Sequence, residues 1–117
     1  MAVRIKRAYE SFGRTDGYRV LIDRIWPRGV SKEEARLDEW ARELAPSTEL
    51  RRWFDHEPAK FDEFRRRYRA ELAGHEQKLR ELRRRARGGT LTLVYGARDT
   101  EHNDAVVLAE LLRRSSR

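Results

Sequence analysis

Two stretches with the alternating apolar pattern of β-strands lie far apart in the chain, and their separation limits how they can pair. The first runs from Tyr18 to Ile25 and the second from Thr90 to Tyr95, with about sixty mostly helical residues between them. A connection of that length rules out a tight hairpin and favours a crossover between parallel strands, which is almost always right-handed. Parallel strands end at one edge of a sheet, where open α/β sheets bind ligands.

A further strand pattern begins the chain, where the apolar Val3 and Ile5 alternate with Arg4 and Lys6. The chain has 117 residues, which is the length of one domain. We therefore predict an α/β fold with a small, mostly parallel sheet and helices packed around it, in a single domain spanning residues 1–117.

Helix signals fill the long connection between the two main strands. Ser31 and Glu34 have the spacing of a capping box, which predicts a helix whose apolar face consists of Leu37, Trp40, Ala41 and Leu44. Ser47 is suited to cap a short helix that follows. Apolar residues then recur at steps of three and four from Phe61 to Ala86.

That last helical pattern is too long for a compact domain. Roughly thirty helical residues would span about 45 Å, whereas a domain of this length is about 35 Å across. We expect the helix to bend near Gly74, to break there, or to project and meet a partner. Buried side chains should include Trp26, Trp40, Phe61, Phe64, Leu72, Leu93 and Leu108, because each lies on the apolar side of its element.

Composition restricts the partners and the compartment. The chain has a formal net charge of +7 and a pI near 10.3, which favours anionic partners. Its preference for arginine over lysine suits planar anions, although a genome rich in G and C would give the same bias. No apolar run approaches the roughly 20 residues of a membrane span, and residues 1–6 lack the apolar core of a signal peptide. We expect a cytoplasmic protein with no membrane partner.

Polar and aromatic side chains collect where the predicted strands end and the last helix begins. A helix N-terminus and nearby arginines favour a phosphate or carboxylate group, so we predict a pocket for a small anionic ligand. The candidate ligand-binding residues are Arg24, Trp26, Arg28, Tyr95, Arg98, Asp99, His102 and Asn103. A purely structural interpretation stays open, in which Arg24 pairs with Asp23 or Glu39 and Trp26 packs in the core.

Catalytic and cofactor chemistry is not indicated by any motif. Asp99 and His102 are about one helical turn apart, but two ligands do not make a metal site, and Asp99 also suits a helix cap. The chain has no cysteine, no phosphate-binding glycine loop and no dinucleotide fingerprint. We predict neither a metal nor a cofactor, assign no catalytic residue, and leave open whether the protein is an enzyme.

Two arginine runs support an alternative function. Residues 65–67 and 83–85 lie mostly on the solvent side of the long helical segment and could contact the phosphates of a nucleic acid without reading its sequence. Glutamates lie among them, so a solvated, salt-bridged helix face is the simpler interpretation. A scaffold or stress-associated oligomer is a third possibility, and the oligomeric state is not determined by the sequence.

Several segments together resemble the YeaO-like proteins, domain of unknown function 488. They are residues 16–29 (DGYRVLIDRIWPRG), 37–40 (LDEW), 46–51 (PSTELR), Tyr68 with Glu71-Leu72, and residues 91–99 (LTLVYGARD) followed by His102-Asn103. The resemblance covers nearly the whole chain and implies a small bacterial α/β protein, but no activity or substrate. Longer relatives carry cysteines where this chain has Tyr95-Gly96 and residues 102–104, so thiol chemistry would not transfer.

Overall fold

Four parallel strands form the sheet in the computed structural model, which describes residues 2–114. They are β1 (Ala2–Arg7), β2 (Tyr18–Leu21), β3 (Glu39–Trp40) and β4 (Thr90–Tyr95), in the spatial order β1-β4-β2-β3. β4 is central and pairs with β1 on one side and β2 on the other. The parallel pairing of β2 with β4 confirms the predicted crossover, and the α/β fold class is confirmed.

Helices cover mainly one face of the sheet. They are α1 (Lys32–Ala35), α2 (Thr48–Phe54), α3 (Phe61–Leu72), α4 (Glu76–Arg87) and α5 (Asp104–Arg114). α4 and α5 pack on β1 and β4, and α3 packs on α5 and α2. Their apolar stripes enclose one large buried cluster with the side chains of β2 and β4 that face them.

A smaller cluster lies on the opposite face of the sheet. Leu21 and Val94 are buried there, and the half-buried rings of Trp26 and Trp40 pack on them, edge to face with their centroids 5.3 Å apart. These two tryptophans are among the seven side chains predicted to be buried, and they are half-buried. The remaining five side chains are buried. The buried faces of α3, β4 and α5 are therefore as predicted, whereas Trp40 packs on the opposite side of the sheet from Ala41 and Leu44, with which it was expected to share a helix face.

A buried arginine fixes α1 to the sheet. Arg19 is 1% exposed, and its guanidinium donates to the Asp16 carboxylate at 2.6 Å and to the carbonyl oxygen of Ala35, the last residue of α1, at 2.8 Å. Burial raises the pKa of Asp16, but hydrogen bonds from the Gly13 N–H, Lys6 and Arg19 outweigh it, so the pKa is lowered overall. A buried arginine is stable only with such partners.

The helix predicted after Ser31 is shorter than expected. The capping box is present, but α1 stops at Ala35 because Arg36 is left-handed, with φ 43°. The backbone N–H of Asp38 then donates to the carbonyl of Arg19, and the chain continues as β3 at the edge of the sheet. The apolar residues from Leu37 to Leu44, spaced three and four apart, therefore do not lie on a helix. They belong to the segment that contains the edge strand β3 and the 3₁₀ turn Arg42–Leu44.

The long helical segment breaks at Gly74, which is one of the three outcomes expected from the sequence. α3 ends at Leu72, a 3₁₀ turn occupies Ala73–His75, and α4 begins at Glu76. The break keeps the molecule to principal extents of 37 × 35 × 21 Å, which a straight helix over both segments would exceed.

Candidate functional site

A cavity of about 630 Å³ opens beyond the C-terminal ends of β2 and β4, with α2 and the start of α5 as its other walls. The residues that line it are Asp23, Arg24, Ile25, Pro46, Thr48, Arg51, Arg52, Phe54, Asp55, His56, Phe64, Gly96, Ala97, His102, Asn103 and Asp104. Its volume falls within the range of small-ligand pockets, about 300–1,000 Å³. The cavity therefore lies at the edge of the sheet where a parallel topology places ligands.

α2 is held in place by a capping arrangement that reaches across to α3. The Ser47 hydroxyl accepts a hydrogen bond from the Leu50 N–H at 3.1 Å and donates to the Glu71 carboxylate at 2.6 Å. Glu71 also accepts the Ser47 N–H at 2.8 Å. Ser47 is thus a helix cap, as the sequence predicts, and it fixes the wall of the cavity from which Arg51 and Arg52 extend.

Three arginines supply the positive charge of the cavity. Arg24, Arg51 and Arg52 are exposed, and within residues 2–114 none of them forms an ion pair. Arg24 makes one weak hydrogen bond, to the carbonyl of Pro46 at 3.4 Å. A guanidinium without a protein carboxylate keeps its fork of N–H donors free for an anion.

The chain turns sharply at the rim of the cavity. Asp55, which directly follows α2, and His56 both have positive φ, 47° and 55°, where residues other than glycine are uncommon. Such conformations persist only when the surroundings impose them, and they concentrate at functional sites.

Two carboxyl groups interact with each other on the cavity wall. They belong to Asp23, just beyond β2, and Asp104, the first residue of α5, and a proton on one of them would let it donate a hydrogen bond to the other. Burial raises the pKa of Asp104 well above its ordinary value, and repulsion from Asp23 raises it further. Burial also raises the pKa of Asp23, although Asp104, the Gly96 N–H and Arg51 act in the opposite direction.

Asp23 also links the strand ends to each other. Its carboxylate accepts the Gly96 N–H at 2.8 Å, and its backbone carbonyl accepts the indole N–H of Trp40 at 2.7 Å. A side chain at residue 96 would place its Cβ 3.1 Å from that carboxylate, so glycine permits the close approach. We call Asp23 and Asp104 the acid pair.

His102 is oriented by two neighbours. Its Nδ1 lies 2.9 Å from an oxygen of Asp99, and its ring stands edge-on to Phe61 with centroids 5.2 Å apart. The hydrogen bond from the Glu101 N–H lowers the pKa of Asp99, as does the contact with His102. With Nδ1 engaged, Nε2 is the ring nitrogen left for other contacts.

The last helix begins later than the sequence suggests. Asp99 accepts the N–H groups of Glu101 and His102 and so caps a turn, whereas α5 starts at Asp104. The Asn103 side chain accepts the Val106 N–H at 2.9 Å and caps α5. The Ala105 N–H donates to Asp104. These N–H groups are occupied by the chain's own side chains, so an anion in the cavity would rely on arginines more than on the helix N-terminus.

Three of the eight predicted ligand-binding residues line the cavity: Arg24, His102 and Asn103. The other five do not line it. Trp26 donates from its indole to the Val30 carbonyl at 2.6 Å, and Tyr95 is buried in the core. Arg28 and Arg98 are exposed, and Asp99 acts behind His102.

The sequence interpretation missed the acid pair and the arginines of α2. The helix cap was expected at Asp99, five residues before Asp104, and nothing in the sequence shows that Asp104 faces Asp23 from about eighty residues away along the chain. Arg51 and Arg52 could have been predicted as cavity residues from the sequence. The cap at Ser47 places both of them on the second turn of α2.

Among residues 2–114, no group of three or more His, Asp or Glu side chains could hold a metal ion. Over the same range, no helix has the length and the apolar character needed to span a membrane.

A family model and several curated proteins match this chain over nearly its whole length. Residues 2–117 match the family described as the inactive DUF488-N3 subclade. The chain is 48% identical to the uncharacterised protein YeaO of Escherichia coli (strain K12) over 113 residues, covering 97% of this chain and 98% of YeaO. It is 45% identical to uncharacterised proteins of Mycobacterium bovis and Mycobacterium tuberculosis over 111 residues, covering 94% of this chain and 92% of each relative. No solved structure gives a significant match. The chain therefore belongs to the YeaO-like DUF488 family.

Proposed function

We propose that the protein binds a small organic anion, bearing a phosphate or a carboxylate group, in the cavity at the C-terminal edge of the sheet. The observation that carries this proposal is the convergence of three arginines without ion pairs on one cavity of ligand size. Arginine holds phosphate and carboxylate through two parallel hydrogen bonds, which gives both charge and orientation.

The apolar part of the lining argues for an organic anion over a bare inorganic ion. Phe54 and Phe64 are buried beneath the cavity, and Ile25 at its rim is 64% exposed, although it is a large aliphatic side chain. Pockets for small molecules combine such apolar walls with a few placed polar groups. A ligand with an apolar body and an anionic end would cover Ile25 and meet the guanidinium groups.

The acid pair makes the cavity compatible with an anion. Two ionised aspartates on one wall would repel a negatively charged ligand. The proton shared by Asp23 and Asp104 removes one of these two charges, and Arg51 acts on the other through its electrostatic attraction to Asp23. The pair then presents one carboxylate and one neutral acid.

Binding without turnover is the form of the function that the comparisons support. The matching family is described as inactive, and this chain has no cysteine to act as a nucleophile. His102 and Asp99 could move a proton, but the cavity lining contains neither a serine nor a cysteine to act as a nucleophile beside them. We therefore assign the cavity a binding role.

The first test is titration with simple probes followed by amide NMR spectra. Phenyl phosphate and benzoate should shift the amide resonances of residues 96, 97 and 102–104, in a saturable manner. Benzylamine, which has the same ring and the opposite charge, should not. Equal shifts with benzylamine, or no saturable shift with either anion, would refute the proposal.

The second test removes one guanidinium and keeps the rest of the chain. Arg51→Gln should weaken binding of phenyl phosphate roughly ten- to a hundred-fold, because a charged hydrogen bond typically contributes about 1.5–3 kcal/mol. Arg28→Gln is the matched control, since Arg28 is exposed, was predicted from sequence to bind the ligand, and does not line the cavity. A loss on Arg28→Gln as large as that on Arg51→Gln would move the site away from the cavity.

A further inference from the structure

The arginines of α3 and α4 have different electrostatic surroundings, although both helices are rich in this residue. On α3, Arg66 and Arg67 both pair with Glu63, and Arg65 pairs with Asp62 and Glu110. On the second half of α4, no ion pair is formed within residues 2–114 by Arg83, Arg84, Arg85 or Arg87. The solvated, salt-bridged interpretation therefore fits α3 and does not fit the end of α4.

Four of the α4 arginines form one stripe along the helix. Arg80, Arg83, Arg84 and Arg87 are spaced three and four apart and so lie on one face. Arg80 pairs only distantly with Glu76, at 3.8 Å, with both side chains exposed. The stripe is about 10 Å long, from the seven helical steps of 1.5 Å between Arg80 and Arg87. We call these four residues the α4 stripe.

Like charges crowd one another within the stripe. The pKa of Arg83 is lowered by partial burial and by the neighbouring charges of Arg87 and Arg80. The Nε of Arg83 is buried and has no hydrogen-bond partner within residues 2–114. The negative end of the α4 dipole offsets part of the repulsion among arginines in the last turn. A bound anion would remove the remainder and give the unpaired donors partners.

The stripe and the cavity lie at opposite edges of the sheet. α4 leads through Gly88 and Gly89 directly into the N-terminal end of β4, whereas the cavity lies beyond the C-terminal end of the same strand. The two sites therefore share no residue.

We propose that the α4 stripe binds the phosphodiester backbone of double-stranded DNA without reading its sequence. A strand of DNA carries one phosphate per 3.4 Å of helix axis, so a stripe of about 10 Å faces about three phosphates. The aromatic ring beside the stripe, that of Tyr18, is half-buried and covered by the guanidinium of Arg85 at 4.2 Å, so it is not open to stack with unpaired bases, which favours a duplex over a single strand. It also contains no exposed apolar residue to enter a membrane.

The test uses the full chain and a fluorescein-labelled 20-base-pair duplex in anisotropy titrations from 50 to 300 mM NaCl. The logarithm of the affinity should fall with the logarithm of the salt concentration with a slope of about −3, for three to four phosphate contacts. Absence of binding at 50 mM NaCl, or tighter binding to either single strand than to the duplex, would overturn the proposal.

A pair of matched variants distinguishes DNA binding by the α4 stripe from attraction by the net charge of the protein. Arg84→Gln/Arg87→Gln should reduce the salt slope by about two and weaken binding at 50 mM NaCl at least tenfold. Arg66→Gln/Arg67→Gln removes the same charge from exposed positions of α3, which pair with Glu63, and should change binding less than threefold. Equal losses from both variants would show that net charge, and not the α4 stripe, attracts DNA. Poly-glutamate should not compete with the duplex at equal charge; efficient competition would replace DNA with an acidic protein as the partner.

Discussion

Replacing Asp104 by asparagine tests the shared proton of the acid pair directly. Asparagine is nearly the same shape, its amide can donate to Asp23 as the protonated acid does, and its carbonyl can still accept the Ala105 N–H. The variant therefore keeps the hydrogen bond and removes the titration. If the proton is shared, the difference in stability between this variant and the native chain should change with pH, and the sign of that change can be predicted.

The sign and size follow from proton linkage. The pKa of Asp104 is raised in the folded state, so the native chain holds a proton that an unfolded aspartate releases above its ordinary pKa of about 3.9. The stabilisation is complete below that value and is lost as pH rises toward the raised pKa. In this window native stability should fall by about 1.4 kcal/mol per pH unit for one proton. The Asp104→Asn variant has no such proton and should gain on the native chain by that amount.

Thermal unfolding measured at half-unit steps from pH 4.5 to 7 gives the comparison. The difference in melting temperature between Asp104→Asn and the native chain should grow in favour of the variant by about 5 °C per pH unit until the raised pKa is passed. Asp62→Asn is the control, because Asp62 is an exposed carboxylate on α3 with one partner, Arg65. A difference that stays flat with pH for Asp104→Asn, or that changes no more than the difference for Asp62→Asn, would refute the shared proton.

Two further substitutions test how the fold supports the cavity and the sheet. Gly17→Ala should destabilise the chain by at least about 2 kcal/mol, measured by urea unfolding. The reason is that residue 17 has φ 67° and that a Cβ there would lie 2.1 Å from the Thr90 carbonyl oxygen. A loss of stability below about 0.5 kcal/mol, the effect of a neutral surface change, would contradict this contact. Tyr68→Phe should cost about 1–3 kcal/mol, because the hydroxyl donates to the buried Leu44 carbonyl at 2.6 Å and would leave it unpaired. An unchanged unfolding midpoint would show that water or another donor replaces this hydrogen bond.

The parallel topology was predictable because it depends on the length of the connection, which the sequence shows directly. The same reasoning located the edge at which the cavity opens, and it identified Ser47 as a cap because the residue type and the following helical pattern agree. Such features depend on local chemistry or on chain length. They do not require knowledge of which distant residues meet.

The extent of α1 and the position of β3 were not predictable by periodicity. A helix and an edge strand followed by a 3₁₀ turn can both bury residues at spacings of three and four, and only tertiary contacts decide between them. Here the deciding contacts are the backbone hydrogen bonds that Asp38 and Ala41 make to β2, together with a left-handed Arg36 that no residue preference would indicate. The acid pair was missed for the same reason, since its two members are distant in sequence.

Arginine content alone could not separate the roles that this residue has in the structure. Arg19 is buried against Asp16 and is part of the core, whereas Arg66 is balanced by Glu63 on the surface. A biased genome would supply arginines of both kinds. Lack of a carboxylate partner does not by itself mark a site, because the exposed Arg28, Arg42 and Arg98 also form no ion pair within residues 2–114. Position separates Arg51 and Arg87 from these residues. Arg51 lines the cavity together with Arg24 and Arg52, and Arg87 belongs to the α4 stripe, where the charges of neighbouring arginines lower the pKa of Arg83. The grouping of arginines, and not their number, is therefore the reason for proposing these two surfaces as sites for anions.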